Sequence, residues 1–142
     1  VHLSGGLNML EELAIMKKKT KIIGVSMLTN LDNHDLKRMG FSCGQKKFVE
    51  NLVKIGVKAG VDGIVSSPKE IKYLKSKYKS LIFITPGIRL PKNKKNDQKR
   101  IESPRFAIKA GSNILVIGRP ITKSKDPVNA IQEIVKNIEY GK

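Results

Sequence analysis

The sequence has few cysteine, histidine and aromatic residues, and each shortage excludes a class of site. Cys43 is the single cysteine among 142 residues, which excludes an intrachain disulfide and a thiolate cluster around zinc. His2 and His34 lack the HxH or HExxH spacing of a metal site. Aromatic residues make up 5% of the chain and follow no stacking pattern. No run of eighteen apolar residues and no signal-peptide pattern occurs, so a soluble, cytoplasmic protein is expected.

Negative charge is also scarce, because 12 Asp and Glu residues face 28 Lys and Arg residues, a formal net charge of +16. Such an excess can release counterions from nucleic-acid phosphates. The lysines, however, are scattered over every predicted helix rather than gathered in one stripe. We therefore expect a lysine-rich solvated surface with no nucleic-acid or membrane partner. A non-catalytic basic module that binds RNA or free nucleotides remains the alternative.

Short apolar runs rich in β-branched residues recur along the chain and predict strands. They are nearly continuous rather than alternating, which favours strands covered on both faces in a parallel sheet. Between them, apolar residues at steps of three or four around 48–59 and 131–138 predict helices. SPKE from Ser67, SPRF from Ser103 and DPVN from Asp126 each place a cap before a proline and predict a helix start. The predicted strands cover residues 1–3, 22–28, 63–65, 81–84 and 114–117.

Two segments echo each other, AGVDGIV at 59–65 and AGSNILV at 110–116. Each predicts a helix that ends at glycine, a tight turn and then a strand, the rhythm of repeated βα units. The whole chain is predicted as five βα units with right-handed crossovers and a parallel sheet. Five units fit either an open doubly wound sheet or an incomplete barrel, because a closed (β/α)8 barrel needs roughly 250 residues.

The run LVIGRPIT at 115–122 ends a predicted strand in a glycine and a permanent cation. In βα folds the chemistry gathers at the carboxyl ends of strands, and barrel phosphate sites use the loops after the last two strands. Gly118 would let the backbone approach an anion, and Arg119 offers a planar fork for two phosphate oxygens. The alternative is that Arg119 pairs with a carboxylate as a structural clamp.

A long segment without an apolar pattern, residues 86–103, lies beside the proposed anion site. Loops of this length inside compact domains are usually functional or disordered. A lid that closes over a phosphorylated ligand is the economical interpretation. Taken alone, the segment could equally be a surface insertion.

Six segments of the chain form a recognisable series. In order, they are VHLSGG, VSMLTNLD, GVDGIVSSPKE, ITPGIR, NDQKRIESP and LVIGRPITKSKDP. The series TPGIR, DQKR and IGRPIT is specific in combination, whereas each part alone is weak. Together the segments resemble one family, bacterial orotidine 5'-phosphate decarboxylase, and the resemblance covers essentially the entire chain.

The resemblance implies a fold, an activity and a set of binding residues. Proteins of this family are homodimeric (β/α)8 barrels of the ribulose-phosphate-binding type, and they convert orotidine monophosphate to uridine monophosphate and carbon dioxide without metal or organic cofactor. The likeness implies that Thr29 binds substrate. Asn30 stands where a serine is common. The residues that it assigns to the phosphate are Arg89, Gln98, Gly118 and Arg119.

One part of the family pattern has no match in this chain. The catalytic signature Asp-x-Lys-x-x-Asp, followed by Ile-Pro-Asn-Thr, precedes the segment that VHLSGG resembles. We therefore expect residues 1–142 to correspond to barrel strands 4 to 8 of a single domain, with three N-terminal βα units absent. No catalytic residue is assigned, and the isolated chain is predicted to be an inactive lyase fragment. The enzymatic alternative is a pentulose-phosphate epimerase or hexulose-phosphate synthase barrel.

Overall fold

A computed structural model of the chain describes residues 1–90 and 102–139. Its sheet has four parallel strands in the order β1-β2-β3-β4. The strands are β1 (Ile23–Val25), β2 (Gly63–Val65), β3 (Ile82–Thr85) and β4 (Ile114–Leu115). Four of the five predicted strands are thus confirmed in position, and β1 and β4 are shorter than predicted.

Seven α-helices connect and flank the strands in the described residues. The predicted helix starts are confirmed, because α4, α5 and α7 each begin with the proline that follows Ser67, Ser103 or Asp126. The Ser103 hydroxyl accepts the Phe106 N–H at 3.2 Å, as an N-cap does. The helices are α1 (Leu7–Met16), α2 (Asn33–Arg38), α3 (Gln45–Lys58), α4 (Pro68–Lys77), α5 (Pro104–Ala110), α6 (Arg119–Thr122) and α7 (Pro127–Glu139).

The predicted strand at residues 1–3 is wrong. His2 forms a single parallel bridge with Val25, and the chain then turns into a 3₁₀-helix at Leu3–Gly5. The Leu3 side chain is fully buried, and a Cβ added at Gly24 or Gly56 would collide with it. The Leu3 side chain therefore fills space in the core between β1 and α3 and does not belong to an extended strand. The sheet consequently has four strands, whereas five βα units were expected.

The strand order decides between the two topologies that the sequence left open. Each strand lies next to its predecessor, and the order never reverses. With right-handed crossovers, such a sheet receives all its connecting helices on one face, whereas a doubly wound sheet reverses its order and has helices on both. The doubly wound alternative is therefore wrong. Each strand is added on the same side of its predecessor, as in a (β/α)8 barrel.

Burial alternates along the strands accordingly. Gly24, Ile64 and Phe83 are in register across the sheet and are all buried. Directly paired residues point to the same face, so this row faces the helices. The next row is half-buried to exposed and faces the opposite side. Its members are Val25, Val65, Ile84 and Ile114. The expected cover on both faces is not found in the described part of the chain.

The two echoing segments form the same local structure. Both helices end at a glycine with positive φ, 81° at Gly60 and 106° at Gly111, a conformation that favours glycine. The Asp62 carboxylate accepts the Ile22 N–H at 2.7 Å, and the Asn113 amide oxygen accepts the Phe83 N–H at 2.9 Å. In both repeats, one Asp or Asn side chain thus continues the hydrogen bonding to the preceding strand at the amino edge of the sheet.

Lys17 reinforces the first of these contacts. Its ammonium lies 2.9 Å from the Asp62 carboxylate and also donates to the Gly60 carbonyl at 3.1 Å. The hydrogen bond from Lys17, followed by that from the Ile22 N–H, holds the pKa of Asp62 below its usual range. The amino edge is therefore tied together by a charged contact between α1 and the start of β2.

No helix within residues 1–90 and 102–139 is long and apolar enough to cross a membrane.

Candidate functional site

The carboxyl ends of the strands lie at one edge of the sheet and are joined by hydrogen bonds. Ser26, directly after β1, donates its N–H to Val65 O at 3.1 Å and its hydroxyl to the same oxygen at 2.8 Å. Ser66, directly after β2, donates its N–H to Ile84 O at 3.1 Å. The loops that follow β1, β2 and β3 are consequently held side by side.

The loops after β3 and β4 are also neighbours, which brings two of the predicted phosphate segments together. Thr85 pairs with Leu115, and the Val116 N–H donates to Thr85 O at 2.8 Å. Arg89 follows β3 by four residues, and Gly118 follows β4 by three. Adjacent parallel strands deliver their loops to the same edge, so the GIR and GRP sequences emerge beside each other.

Arg89 is buried, with 6% of its surface exposed. Its Nη1 donates to the Ile88 carbonyl at 2.7 Å, which folds the guanidinium back along its own loop. A buried guanidinium contributes fixed positive charge in a region of lower dielectric than water. Arg89 is therefore a buried cation held in the loop after β3, not an exposed surface side chain.

Gly118 and Arg119 form the start of α6. Gly118 is the N-cap residue, and a Cβ added to it would meet no atom within 4 Å. Its φ of −99° is accessible to other residues, so neither protein packing nor a positive φ requires glycine there. The Arg119 side chain is partly exposed at the mouth of the same loop. This arrangement leaves room beside the backbone for an anion to approach.

Thr29 lies at the same edge but farther along it. It follows β1 and is 9% exposed, whereas its neighbour Asn30 is exposed. Because β1 and β4 are separated by two strands, Thr29 is not adjacent to the Arg119 loop in the sheet order. Asp32 and Asp35, which follow in the same loop, form a reciprocal capping box at the start of α2.

Gln98, the remaining predicted site residue, lies outside the described residues, as does most of the predicted lid. The base of that segment is nevertheless defined. The Arg89 N–H donates to Glu102 O at 3.0 Å, and the Glu102 N–H donates to Gly87 O at 3.2 Å. Two backbone hydrogen bonds thus join the two ends of the segment directly beside the carboxyl edge of β3.

A polar cluster at the same edge did not emerge from the sequence. The Ser26 hydroxyl lies 3.3 Å from the Ser66 hydroxyl, which lies 3.4 Å from the Glu70 carboxylate. Glu70 also accepts the Ser67 N–H at 3.0 Å and the Ser67 hydroxyl, completing the predicted capping box of α4. The capping sequence indicated half of this cluster, but the contact to Ser26 depends on the pairing of β1 with β2 and has no local signal.

The charge of this edge suits an anion. The loops after β3 and β4 carry the guanidinium groups of Arg89 and Arg119. Lys69 forms an ion pair with Glu102 at 3.6 Å beside the β3 loop. In residues 1–90 and 102–139, no group of three or more His, Cys, Asp or Glu side chains could hold a metal ion. Guanidinium groups and accessible backbone N–H groups are suited to binding a phosphate.

Comparisons with known proteins identify the family and the fold. The sequence profile described as "Orotidine 5'-phosphate decarboxylase / HUMPS family" matches residues 1–134. A protein of Coxiella burnetii (strain RSA 331 / Henzerling II) named orotidine 5'-phosphate decarboxylase is 42% identical over 146 residues, which are 98% of this chain and 62% of the relative. The protein of the same name from Aquifex aeolicus is 41% identical over 138 residues, 96% of this chain and 60% of the relative.

Solved structures match in the same proportion. The crystal structure of orotidine 5'-phosphate decarboxylase from Lactobacillus acidophilus superposes with a TM-score of 0.77 at 28% identity, covering 97% of this chain and 61% of that one. The Pyrococcus horikoshii enzyme, at 17% identity and a TM-score of 0.69, supports the fold alone. The chain thus spans about three fifths of the length of the proteins that it matches.

Proposed function

The chain belongs to the orotidine 5'-phosphate decarboxylase / HUMPS family, and on that basis we propose that it forms the phosphate-binding part of an orotidine 5'-phosphate decarboxylase. The proposed reaction of the whole enzyme converts orotidine 5'-phosphate to uridine 5'-phosphate and carbon dioxide in pyrimidine synthesis. The observation that carries this proposal is the adjacency of the Arg89 loop and the Gly118–Arg119 loop at the carboxyl edge of β3 and β4.

Each proposed binding residue has a distinct task. Arg119 forms a charge-assisted fork on the phosphate, Gly118 leaves the backbone accessible, and Arg89 adds buried positive charge. Gln98 contributes a further donor, and Thr29 contacts the nucleoside end of the substrate. The separation of β1 from β4 in the sheet supports this division, because a nucleotide is long enough to place its ring and its phosphate over different strands.

The proposed phosphate contacts would assist decarboxylation although they lie away from the reacting ring. Decarboxylation leaves a carbanion on the pyrimidine ring, and binding energy gained at the non-reacting phosphate can be spent on orienting and desolvating that ring. If each charge-assisted hydrogen bond contributes ~1.5–3 kcal/mol, two or three of them supply a substantial part of substrate binding. Ordering a lid over the site would consume some of that energy.

We propose further that the chain corresponds to barrel strands 4 to 8, with the position of strand 4 taken by the His2 bridge. The Asp-x-Lys-x-x-Asp signature would then belong to three βα units on the N-terminal side of the part of the barrel that residues 1–142 represent. No catalytic lysine or aspartate is assigned to residues 1–142. A cytoplasmic location, a homodimeric whole enzyme and chemistry without metal or organic cofactor stay predictions from the resemblance.

Calorimetric titration of the purified chain tests the phosphate site. Uridine 5'-monophosphate should bind, whereas uridine, which differs by the phosphate alone, should bind at least tenfold more weakly, since 1.4 kcal/mol corresponds to about a factor of ten. Equal binding of the two ligands, or release of uridine 5'-monophosphate with the steep salt dependence of a polyanion surface, would contradict the proposal.

The enzymatic rival makes a different prediction for the same titration. A pentulose-phosphate or hexulose-phosphate barrel should prefer ribulose 5-phosphate to uridine 5'-monophosphate, because its site has no use for a pyrimidine. We expect the reverse order. Incubation of residues 1–142 alone with orotidine 5'-phosphate should give no turnover, and turnover above a mock purification from the same host would refute the assignment of the catalytic groups to units outside residues 1–142.

A further inference from the structure

A chain of buried polar side chains joins the loop after β1 to the first turn of α4. Ser26, Ser66 and Glu70 are 6%, 1% and 6% exposed. The Ser26 hydroxyl lies 3.3 Å from the Ser66 hydroxyl, which donates to the Glu70 carboxylate at 3.4 Å. We call these three residues the buried polar network.

Helix capping and strand pairing do not account for this network. A capping box needs only Ser67 and Glu70, and both of its contacts are present on α4. The sheet does not need the other two hydroxyl groups, since the Ser26 and Ser66 N–H groups already donate to the neighbouring strands at 3.1 Å. Burying a hydroxyl group costs free energy unless it is hydrogen-bonded, so alanine would suffice for the fold at both positions. The two hydroxyl groups therefore indicate a further role.

Ser66 is the central member of the network because it contacts three elements. Its N–H donates to Ile84 O on β3. Its hydroxyl lies beside Ser26, directly after β1, and donates to Glu70 on α4. The loop after β1 carries the residue proposed for the nucleoside end of the ligand, and the loop after β3 carries a residue proposed for the phosphate end. Ser66 thus connects the strands that lead into these two loops.

The loop after β1 is held at its far end as well. The Leu31 N–H donates to Leu28 O at 3.1 Å, which closes a turn around Thr29. The Gln45 side-chain amide donates to Leu31 O at 3.2 Å and ties the turn to the start of α3. Thr29 therefore lies between two fixed points, Gln45 and the hydroxyl of Ser26. Because only three positions separate Thr29 from Ser26, a displacement of Ser26 is passed on to Thr29.

We propose that Ser66 is a positioning residue, which sets the distance between the nucleoside and phosphate ends of the site through the buried polar network. This inference rests on the proposed function, because it takes Thr29 and Arg89 to serve opposite ends of one ligand. Ser66 is 1% exposed and acts through the loops, not by contact with the ligand. Its loss should weaken a ligand that spans both ends, because the loops are then no longer preorganised for it. A ligand held at the phosphate end should bind as before.

Calorimetric titration of the Ser66→Ala variant with two ligands tests the positioning. Uridine 5'-monophosphate spans both ends of the site, whereas ribose 5-phosphate lacks the base. We expect the variant to bind uridine 5'-monophosphate at least fivefold more weakly than the unaltered chain does, with less than a twofold change for ribose 5-phosphate. Equal losses for the two ligands, or unchanged affinity for both, would overturn the proposal.

Ser67→Ala is the matched control, since it removes a neighbouring buried hydroxyl that belongs to the capping box. The Ser67 N–H still donates to Glu70 at 3.0 Å, so the network keeps its carboxylate. The control should lower the melting temperature and leave the ratio of the two affinities unchanged. A change in that ratio as large as the one in Ser66→Ala would assign the effect to the cap of α4 and overturn the proposal.

Ser26→Ala keeps the test decisive if Ser66→Ala does not fold. The Ser26 N–H still donates to Val65 O, so strand pairing is retained while the same link is broken. It should separate the two ligands as Ser66→Ala does. Where both variants fold, the double variant should lose no more affinity than the weaker-binding single variant, because both changes break one network; additive losses would overturn the proposal. Failure of the unaltered chain to prefer uridine 5'-monophosphate to uridine would contradict the proposed function, and this inference with it, before any variant is compared.

Discussion

The two edges of the sheet use their polar residues differently. At the amino edge, Asp62 and Asn113 accept backbone N–H groups from the preceding strands, and Lys17 closes an ion pair with Asp62. At the carboxyl edge, Arg119 stands at a loop mouth beside Gly118, whose surroundings would accept an extra methyl group. The contacts of the amino edge therefore serve stability, whereas the carboxyl edge carries the charge and space that we propose for a ligand, as in βα barrels.

Arg119→Ala should cause the largest loss of nucleotide affinity with little change in stability. Loss of a charge-assisted fork costs about 2–3 kcal/mol of uridine 5'-monophosphate affinity, roughly 30- to 150-fold. Uridine affinity and the melting temperature should change little, as calorimetry and thermal unfolding would measure. Lys123→Ala, which removes an exposed cation one turn away, is the control. Equal losses for nucleotide and nucleoside, or a large drop in melting temperature, would make Arg119 a structural clamp instead.

Asp62→Ala should show the converse behaviour. It removes the acceptor of the Ile22 N–H and the partner of Lys17, which should lower the free energy of unfolding by roughly 1–2 kcal/mol. Asp62→Asn retains an acceptor oxygen and should lose less. Urea denaturation measures the change, and uridine 5'-monophosphate titration should show unaltered affinity. A loss of nucleotide affinity with unchanged stability would reverse the roles assigned to the two edges.

The Asp62 contact also predicts an acid-sensitive share of stability. Because its pKa is lowered in the folded state, its contribution is fully present above the unfolded value of about 4 and disappears as the pH falls through the lower folded value. The difference in unfolding free energy between the original chain and Asp62→Asn should therefore be largest near pH 6 and shrink towards pH 2.5. A difference independent of pH would mean that the carboxylate charge is unimportant.

Gly118→Ala should have the smallest effect on stability. A Cβ meets no atom within 4 Å and φ is negative, so the unfolding free energy should stay within about 0.5 kcal/mol of the original. Nucleotide affinity should nevertheless fall, because the methyl group would occupy the space proposed for the phosphate. Unchanged affinity together with unchanged stability would show that the ligand does not approach this backbone.

Local chemistry made much of this architecture predictable. The prolines after Ser67, Ser103 and Asp126 announced three helix starts, and the glycines at 60 and 111 announced two helix ends. These signals act within a few residues, so they can be recognised without knowing which elements pack together. The repeated segments likewise predicted β2 and β4, since each carries its own helix end, turn and strand.

Long-range pairing was harder to foresee. Whether 1–3 forms a strand depends on a neighbour on its outer side and on the space at Gly24 and Gly56 that admits Leu3. The bond from Phe83 to Asn113 spans thirty positions, and the burial of Arg89 depends on how its loop folds. The placement of Arg89 and Arg119 on neighbouring loops could be anticipated because it requires only that consecutive parallel strands are adjacent.

The double backbone clasp between Gly87–Arg89 and Glu102 has a consequence for how such proteins vary. A clasp of this kind closes a loop independently of what the loop contains, and doubling the length of a closed loop costs only about 0.6 kcal/mol. Insertions, deletions or grafted sequences between those anchor points should consequently leave the strand scaffold intact. The sequence between Arg89 and Glu102 can therefore vary, in evolution or by design, without disturbing the hydrogen bonds of the sheet.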